Sequence, residues 1–194
     1  MGKSVVALGV FVTSLTFFAV QESTATPLPL PPETGAEDTT PLLPTAPSLS
    51  QPHYPSRIII PNIKLDAAIQ NVGINERGQM DVPSEKTRNV GWYSAGTLPG
   101  EIGSAVFAAH VTAAFKNLKK AKRGDHMYVI TKDGYELDYI VESTAVYPIE
   151  QVSAEGLFNR QDGRYLHLIT CAGKSLGGTA FSHRLIVYAK LAGS

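Results

Sequence analysis

Tyr165-Leu166-His167-Leu168-Ile169-Thr170-Cys171 is an apolar, alternating run rich in β-forming residues, and it reads as a strand. The Gly-rich stretch Ala172-Gly173-Lys174-Ser175-Leu176-Gly177-Gly178 follows at once and predicts that the strand ends there in a loop. Cys171 is the only cysteine of the chain, and this places it at the mouth of a strand, where a thiol is open to a substrate. Further β-like runs lie at 57–60, 67–74, 105–109, 126–131, 135–147 and 184–191. Pro61-Asn62, Asn75-Glu76-Arg77-Gly78 and Val82-Pro83-Ser84 are turn signals, and Asp133-Gly134 marks a hairpin. Helical signal is sparse: 113–122 predicts one short helix, with Phe115 and Leu118 on one face and four lysines elsewhere. Many short, evenly spaced strands predict an all-β fold, a closed or nearly closed β-barrel with one or two short helices.

The barrel occupies only part of the 194 residues. Lys3 precedes an uncharged, mostly apolar run over 5–20 that stops at Gln21 and Glu22. Residues 1–22 therefore read as a signal anchor that crosses the membrane. Ser23-Thr24-Ala25 offers small residues for a cleavage site, but Thr26-Pro27 disfavours the cut, so retention is expected over secretion. Residues 23–56 form a stalk: nine of the thirteen prolines fall between Pro27 and Pro55, among Ser, Thr and acidic residues. Such a stretch cannot bury a core. Anchor, stalk and a domain over 57–194 describe an enzyme held off the extracytoplasmic face of a membrane. Seventeen basic residues balance seventeen acidic ones, so no global basic field points to nucleic acid.

His110 also ends an apolar run, and Arg184 opens another. One thiol, one imidazole and one guanidinium, each at a strand, suggest cysteine-based acyl transfer. The plain alternative is that Cys171 is a small core residue. His167, Cys171 and His183 invite a zinc reading, but His167 and Cys171 lie about 13 Å apart along a strand, far beyond a shared metal. No CxxC, HExxH, P-loop, dinucleotide fingerprint or GxSxG is present. Lys116, Lys119, Lys120, Lys122 and Arg123 read as a solvated face. Among rival histidines, alternation turns His183 away from its neighbour Arg184, His126 opens a strand, and His167 sits beneath Cys171 on the same side.

These motifs, taken in order, resemble the sortases, the cysteine transpeptidases of Gram-positive cell surfaces. They are Gly103-Ser104-Ala105-Val106-Phe107-Ala108-Ala109-His110, then Leu168-Ile169-Thr170-Cys171, then Arg184-Leu185-Ile186-Val187. Gly91-Trp92-Tyr93, Pro99-Gly100-Glu101 and Phe115-Lys116-Asn117-Leu118 before Gly124-Asp125 belong to the same texture. The chain departs from the usual pattern at His167, where Thr is common, and at Thr112, where Asp or Asn is common. The short anchor and compact domain are most similar to class F.

The resemblance implies Cys171 as nucleophile, His110 as general acid and base, and Arg184 as holder of the oxyanion or the substrate backbone, with Thr170 as a further donor to substrate. It implies cleavage of a Leu-Pro-x-Thr-Gly type sorting signal between Thr and Gly, and transfer to an amine of a cell-wall precursor. No cofactor and no metal are expected, since no acidic cluster offers a calcium site. Two other readings remain open: a secreted cysteine hydrolase on a similar barrel, with water as acceptor, and a non-catalytic wall-binding module. The stalk also carries Leu30-Pro31-Pro32-Glu33-Thr34-Gly35, a sorting signal with one extra proline. It arises readily by chance in such a composition; otherwise it is a weak pseudosubstrate.

Overall fold

The computed structural model describes residues 53–177 and 180–194. The anchor over 1–22, most of the stalk and the Leu30 to Gly35 string lie outside the described residues. Eight strands follow in chain order: β1 (Pro55–Ile60), β2 (Leu65–Val72), β3 (Val90–Tyr93), β4 (Gly103–Ala108), β5 (His126–Thr131), β6 (Glu136–Pro148), β7 (Arg164–Gly177) and β8 (Ala180–Leu191). They close into a barrel in the order β1-β2-β3-β4-β7-β8-β6-β5, with β5 paired back onto β1. The all-β barrel expected from the alternating runs is the observed fold.

Alternation fills its interior. Ile58 and Ile60, Trp92, Ala105 and Phe107, Met127 and Val129, Tyr139 and Val141, Leu166 and Leu168, and Val187 and Ala189 form one core. Each strand contributes every second residue, as the pleat requires. The intervening residues of β4, β7 and β8 therefore face outward. Two neighbour pairs, β2 with β3 and β4 with β7, are parallel. Parallel neighbours cannot be joined by a tight turn. Residues 73–89 accordingly form a long crossover from β2 to β3, and β5 and β6 intervene between β4 and β7.

One α-helix is present among the described residues, α1 (Ala154–Phe158), which the sequence reading missed. Its signal was there: Ser153 caps it, accepting from the Gly156 N–H at 3.1 Å, and Glu155 sits in the first turn. Five residues are too few to show a period.

The helix expected over 113–122 is instead a chain of turns ending in a 3-10 turn at Leu118–Lys120. The Lys116, Leu118 and Ala121 N–H groups donate three residues back, to Ala113, Phe115 and Leu118. The buried residues explain the choice. Phe115, Leu118 and Ala121 recur every three positions, the period of a 3-10 turn and not that of an α-helix. The four lysines are exposed, as expected.

Nor does β7 stop at Cys171. It continues to Gly177 because β8 pairs with it throughout and two irregularities, between Ala172 and Ser175 and between Ser175 and Gly177, absorb the glycines. Gly173 has φ +80, and a Cβ there would come within 2.5 Å of both Ser182 Oγ and His183 Nδ1.

Tyr139, fully buried, closes one part of the barrel by a polar contact. Its hydroxyl accepts from the Gly100 N–H at 2.7 Å, while Arg164 donates to the Gly100 carbonyl. Burial raises the phenol above the ordinary tyrosine range, so it stays neutral. Replacing Tyr139 by Phe strands the Gly100 N–H and is expected to cost about 1–3 kcal/mol. Urea unfolding monitored by Trp92 fluorescence measures this loss; an unchanged midpoint would show that water reaches Gly100.

Candidate active site

Three neighbouring strands bring Cys171, His110 and Arg184 together. In the antiparallel pair of β7 and β8, Cys171 stands directly opposite Arg184, so the two side chains share a face. On the other flank β4 runs parallel to β7 with Ala108 opposite Ile169. Two residues further along each chain, His110 comes level with Cys171. The chain is held in this register past the end of β4: the Ala109 N–H donates to the Ile169 carbonyl at 3.4 Å, and the Thr170 hydroxyl donates to the Ala109 carbonyl at 2.7 Å. Since Ala105, Phe107 and Ala109 point into the core, His110 points outward, to the same side as Cys171 and Arg184.

All three line one cleft of about 430 Å³. One wall is the 73–89 crossover, with Asn75 and the segment 77–82. The other is the 149–158 segment, with Ile149, Val152 and, from α1, Ala154, Leu157 and Phe158. The crossover is held in shape by Asn75, whose side-chain oxygen accepts from the Arg77 and Gln79 N–H groups, and by a bridge between Ile74 and Met80. The 149–158 wall is thus apolar, whereas the crossover wall is mixed, with Asn75, Arg77, Gln79 and Asp81 beside Met80 and Val82.

Cys171 is half-buried and free. Arg184 curls over its own strand, donating to the His183 carbonyl at 3.0 Å and the Phe181 carbonyl at 3.4 Å. Among the described residues no carboxylate pairs with it, unlike Arg57 and Arg160, which pair with Asp66 and Asp162. His110 is mostly covered, with Nδ1 3.6 Å from Glu85 Oε1. Thr170 also lines the cleft, but its hydroxyl is engaged by Ala109.

The remaining histidines lie elsewhere. His126 is exposed and faces Asp138 at 2.9 Å, and His53 is buried against Asp133. His183 sits beside Ser182 on the face away from Arg184. His167 is fully buried under α1, where Nδ1–H donates to the Leu157 carbonyl at 2.8 Å and Tyr188 packs edge-on against the ring. The zinc reading of His167, Cys171 and His183 does not survive this separation. Among the described residues no group of three or more His, Cys, Asp or Glu side chains could hold a metal.

A family model, the Sortase domain, matches residues 58–192. The chain belongs to the sortase family. It is a cysteine transpeptidase, and the family implies protein substrates bearing a sorting signal and amine acceptors. Among solved structures, sortase C1 of Streptococcus agalactiae is 30% identical over 72% of this chain and 67% of that one, with a TM-score of 0.56. Sortase C-1 from Actinomyces oris is 27% identical over 72% of each chain, with a TM-score of 0.56. Sortase A from Corynebacterium diphtheriae, 23% identical over 74% of this chain and 63% of that one, shares the fold with a TM-score of 0.58. Among curated proteins, none matches the chain.

The sequence reading missed both cleft walls and Glu85. The walls come from a loop and a five-residue helix, which carry no period. Glu85 is distant from His110 along the chain, and no local pattern joins them.

Burial holds the His167 imidazole well below the ordinary histidine value, at about 4, because the charged form would be stranded without water. The folded protein therefore resists protonation that the unfolded chain accepts. Stability is full above about pH 6.5 and falls as the pH drops from there through about 4, by up to roughly 3 kcal/mol. The variant His167→Gln should lack this part of the slope. Chemical denaturation of both proteins between pH 7.5 and 4.5 tests it; parallel slopes would mean that His167 takes up its proton while folded.

Proposed function

We propose that residues 1–22 hold the enzyme at the extracytoplasmic face of the membrane, and that it cleaves a Leu-Pro-x-Thr-Gly type sorting signal between Thr and Gly. The acyl group passes to an amine of a cell-wall precursor. The observation that carries the reading is the alignment of His110, Cys171 and Arg184 across three adjacent strands, on one face and in one cleft. The compact domain supports class F. Among the described residues no helix is long and apolar enough to cross a membrane. The anchor rests on the apolar run over 5–20.

The chemistry follows from the groups. Cys171 acts as thiolate, which a nearby cation favours. Its sulfur attacks the threonyl carbonyl carbon, and a C–S bond forms. Arg184 faces the oxygen that gains charge; a guanidinium does not release its proton, so it stabilises and does not shuttle. Collapse breaks the C–N bond, and imidazolium His110 gives its proton to the leaving glycyl nitrogen. An incoming amine then attacks the thioester carbon and loses a proton to His110. The new C–N bond forms, the C–S bond breaks, and the thiolate returns. The apolar wall formed by Ile149, Val152, Ala154, Leu157 and Phe158 suits the Leu and Pro of the signal. The reading of Cys171 as a core residue is disfavoured by its place in the cleft.

A labelled sorting peptide, incubated with and without an added amine, tests the proposal. Amine adduct should dominate when amine is present; hydrolysis alone would favour the secreted hydrolase. Cys171→Ala should abolish both products with little change in unfolding midpoint, and turnover by the folded alanine variant would remove Cys171 from the reaction. Arg184→Lys keeps charge but loses the rigid fork of donors, and should lower kcat/KM by roughly 10²–10³. Near wild-type rates in that variant would leave Arg184 a structural residue.

A further inference from the structure

Glu85 projects from the 73–89 crossover, between β2 and β3, toward the segment that follows β4. Its Oε1 lies 3.6 Å from His110 Nδ1 and accepts from the Thr112 hydroxyl at 3.0 Å. Among the described residues it is the one carboxylate within 4 Å of His110. The charged groups that line the cleft itself are Arg77 and Asp81, from the same crossover, and Arg184, from β8.

The two ring nitrogens of a histidine sit on opposite sides of the ring carbon between them. With Nδ1 turned to Glu85, Nε2 is the nitrogen left for the cleft. An ionised carboxylate only accepts hydrogen bonds, so it favours the ring form with a proton on Nδ1. Without such a partner a neutral imidazole in water favours the proton on Nε2, where it blocks the base. Thr112 matters for the same reason. Its hydroxyl proton is directed at Oε1, which holds the carboxylate in place although Glu85 is 52% exposed. A bare surface glutamate would instead swing freely.

We propose that Glu85, held by Thr112, is a positioning residue for His110: it keeps Nδ1 protonated and fixes the ring, so that Nε2 exchanges the proton with the leaving and incoming amines. The inference rests on His110 being the proton carrier of the reaction proposed above. It gives the Thr112 hydroxyl, which donates to Glu85, a function. The acid comes from a different loop and Thr112 orients it. The separation of 3.6 Å is an ion-pair contact, and contacts of this kind in active sites commonly tighten when substrate binds.

The test uses the full chain and three variants, Glu85→Ala, Thr112→Val and the pair together. A placed acid–base group contributes roughly 10²–10⁴-fold, and a residue acting through it is expected to carry about tenfold of that. Glu85→Ala should lower kcat for amine transfer by about that factor, with KM for the sorting peptide nearly unchanged. The ring ¹⁵N signals of His110 should move toward the form protonated on Nε2. Thr112→Val should lower kcat less, and should have no further effect in the Glu85→Ala background, since the two act as one unit. An unchanged kcat in Glu85→Ala, with or without a change in the ring signals, overturns the proposal. So does a loss confined to KM, which would make Glu85 a substrate contact, and so do additive effects in the double variant. Should the unaltered protein fail to process any sorting peptide, the functional reading falls instead, and the His110 ring signals in Glu85→Ala still decide whether Glu85 sets the proton's place.

Discussion

The pairing of β7 with β4 on one side and β8 on the other is the constraint on which the site depends. Strand side chains alternate with period two, so a slip of one residue would turn the outer face inward. Here such a slip would send Cys171 into the barrel and bring Leu168 or Thr170 to the surface. The core prevents it. Leu166 and Leu168 are fully buried with Val187 and Ala189 of β8 and with Ala105 and Phe107 of β4, and a slip of one residue would turn them out of that core. Chemistry at the thiol is thus fixed by apolar packing on the opposite face of the same strands.

On this rigid floor the walls are built differently. The crossover over 73–89 exists because β2 and β3 are parallel neighbours and need a long connection. Its length carries it to the cleft. The opposite wall, α1, is a single short helix that could not hold its place by its own backbone bonds. It is tied down by its Ser153 cap, by the burial of Leu157 and by the bond from His167. His167, a buried neutral histidine, is therefore a strut beneath the cleft wall. The cost is a ring nitrogen, Nε2, that is buried without a partner.

Charge is distributed with similar economy. The surface arginines Arg57 and Arg160 are paired with aspartates, whereas Arg184 has only backbone carbonyls beside it among the described residues. An arginine without a carboxylate keeps its field for an incoming anion or a developing oxyanion. His110 receives the opposite treatment, a half-exposed carboxylate within reach. The cation on β8 and the acid–base group just past β4 flank the thiol on β7 from either side.

The sequence by itself determined a good deal. Alternating apolar runs specify strands whatever their partners, so the all-β barrel and most strand positions were legible in it. Cys171, His110 and Arg184 were legible because each adjoins an apolar β-like run and the three motifs follow in a recognisable order. Local reading failed where the deciding partner is distant. It stopped β7 at the glycines, because only the pairing with β8 carries the strand through them. It made 113–122 an α-helix, because the spacing of Phe115, Leu118 and Ala121 gains meaning only when the core that buries them is known. It passed over β3, four residues long, which is a strand only because β2 and β4 lie on either side. Tertiary structure alone decided that three residues far apart in the chain share one face and one cleft, and that Glu85 meets His110. Strand order and register are set by the packing of the whole core, and no segment carries that information by itself.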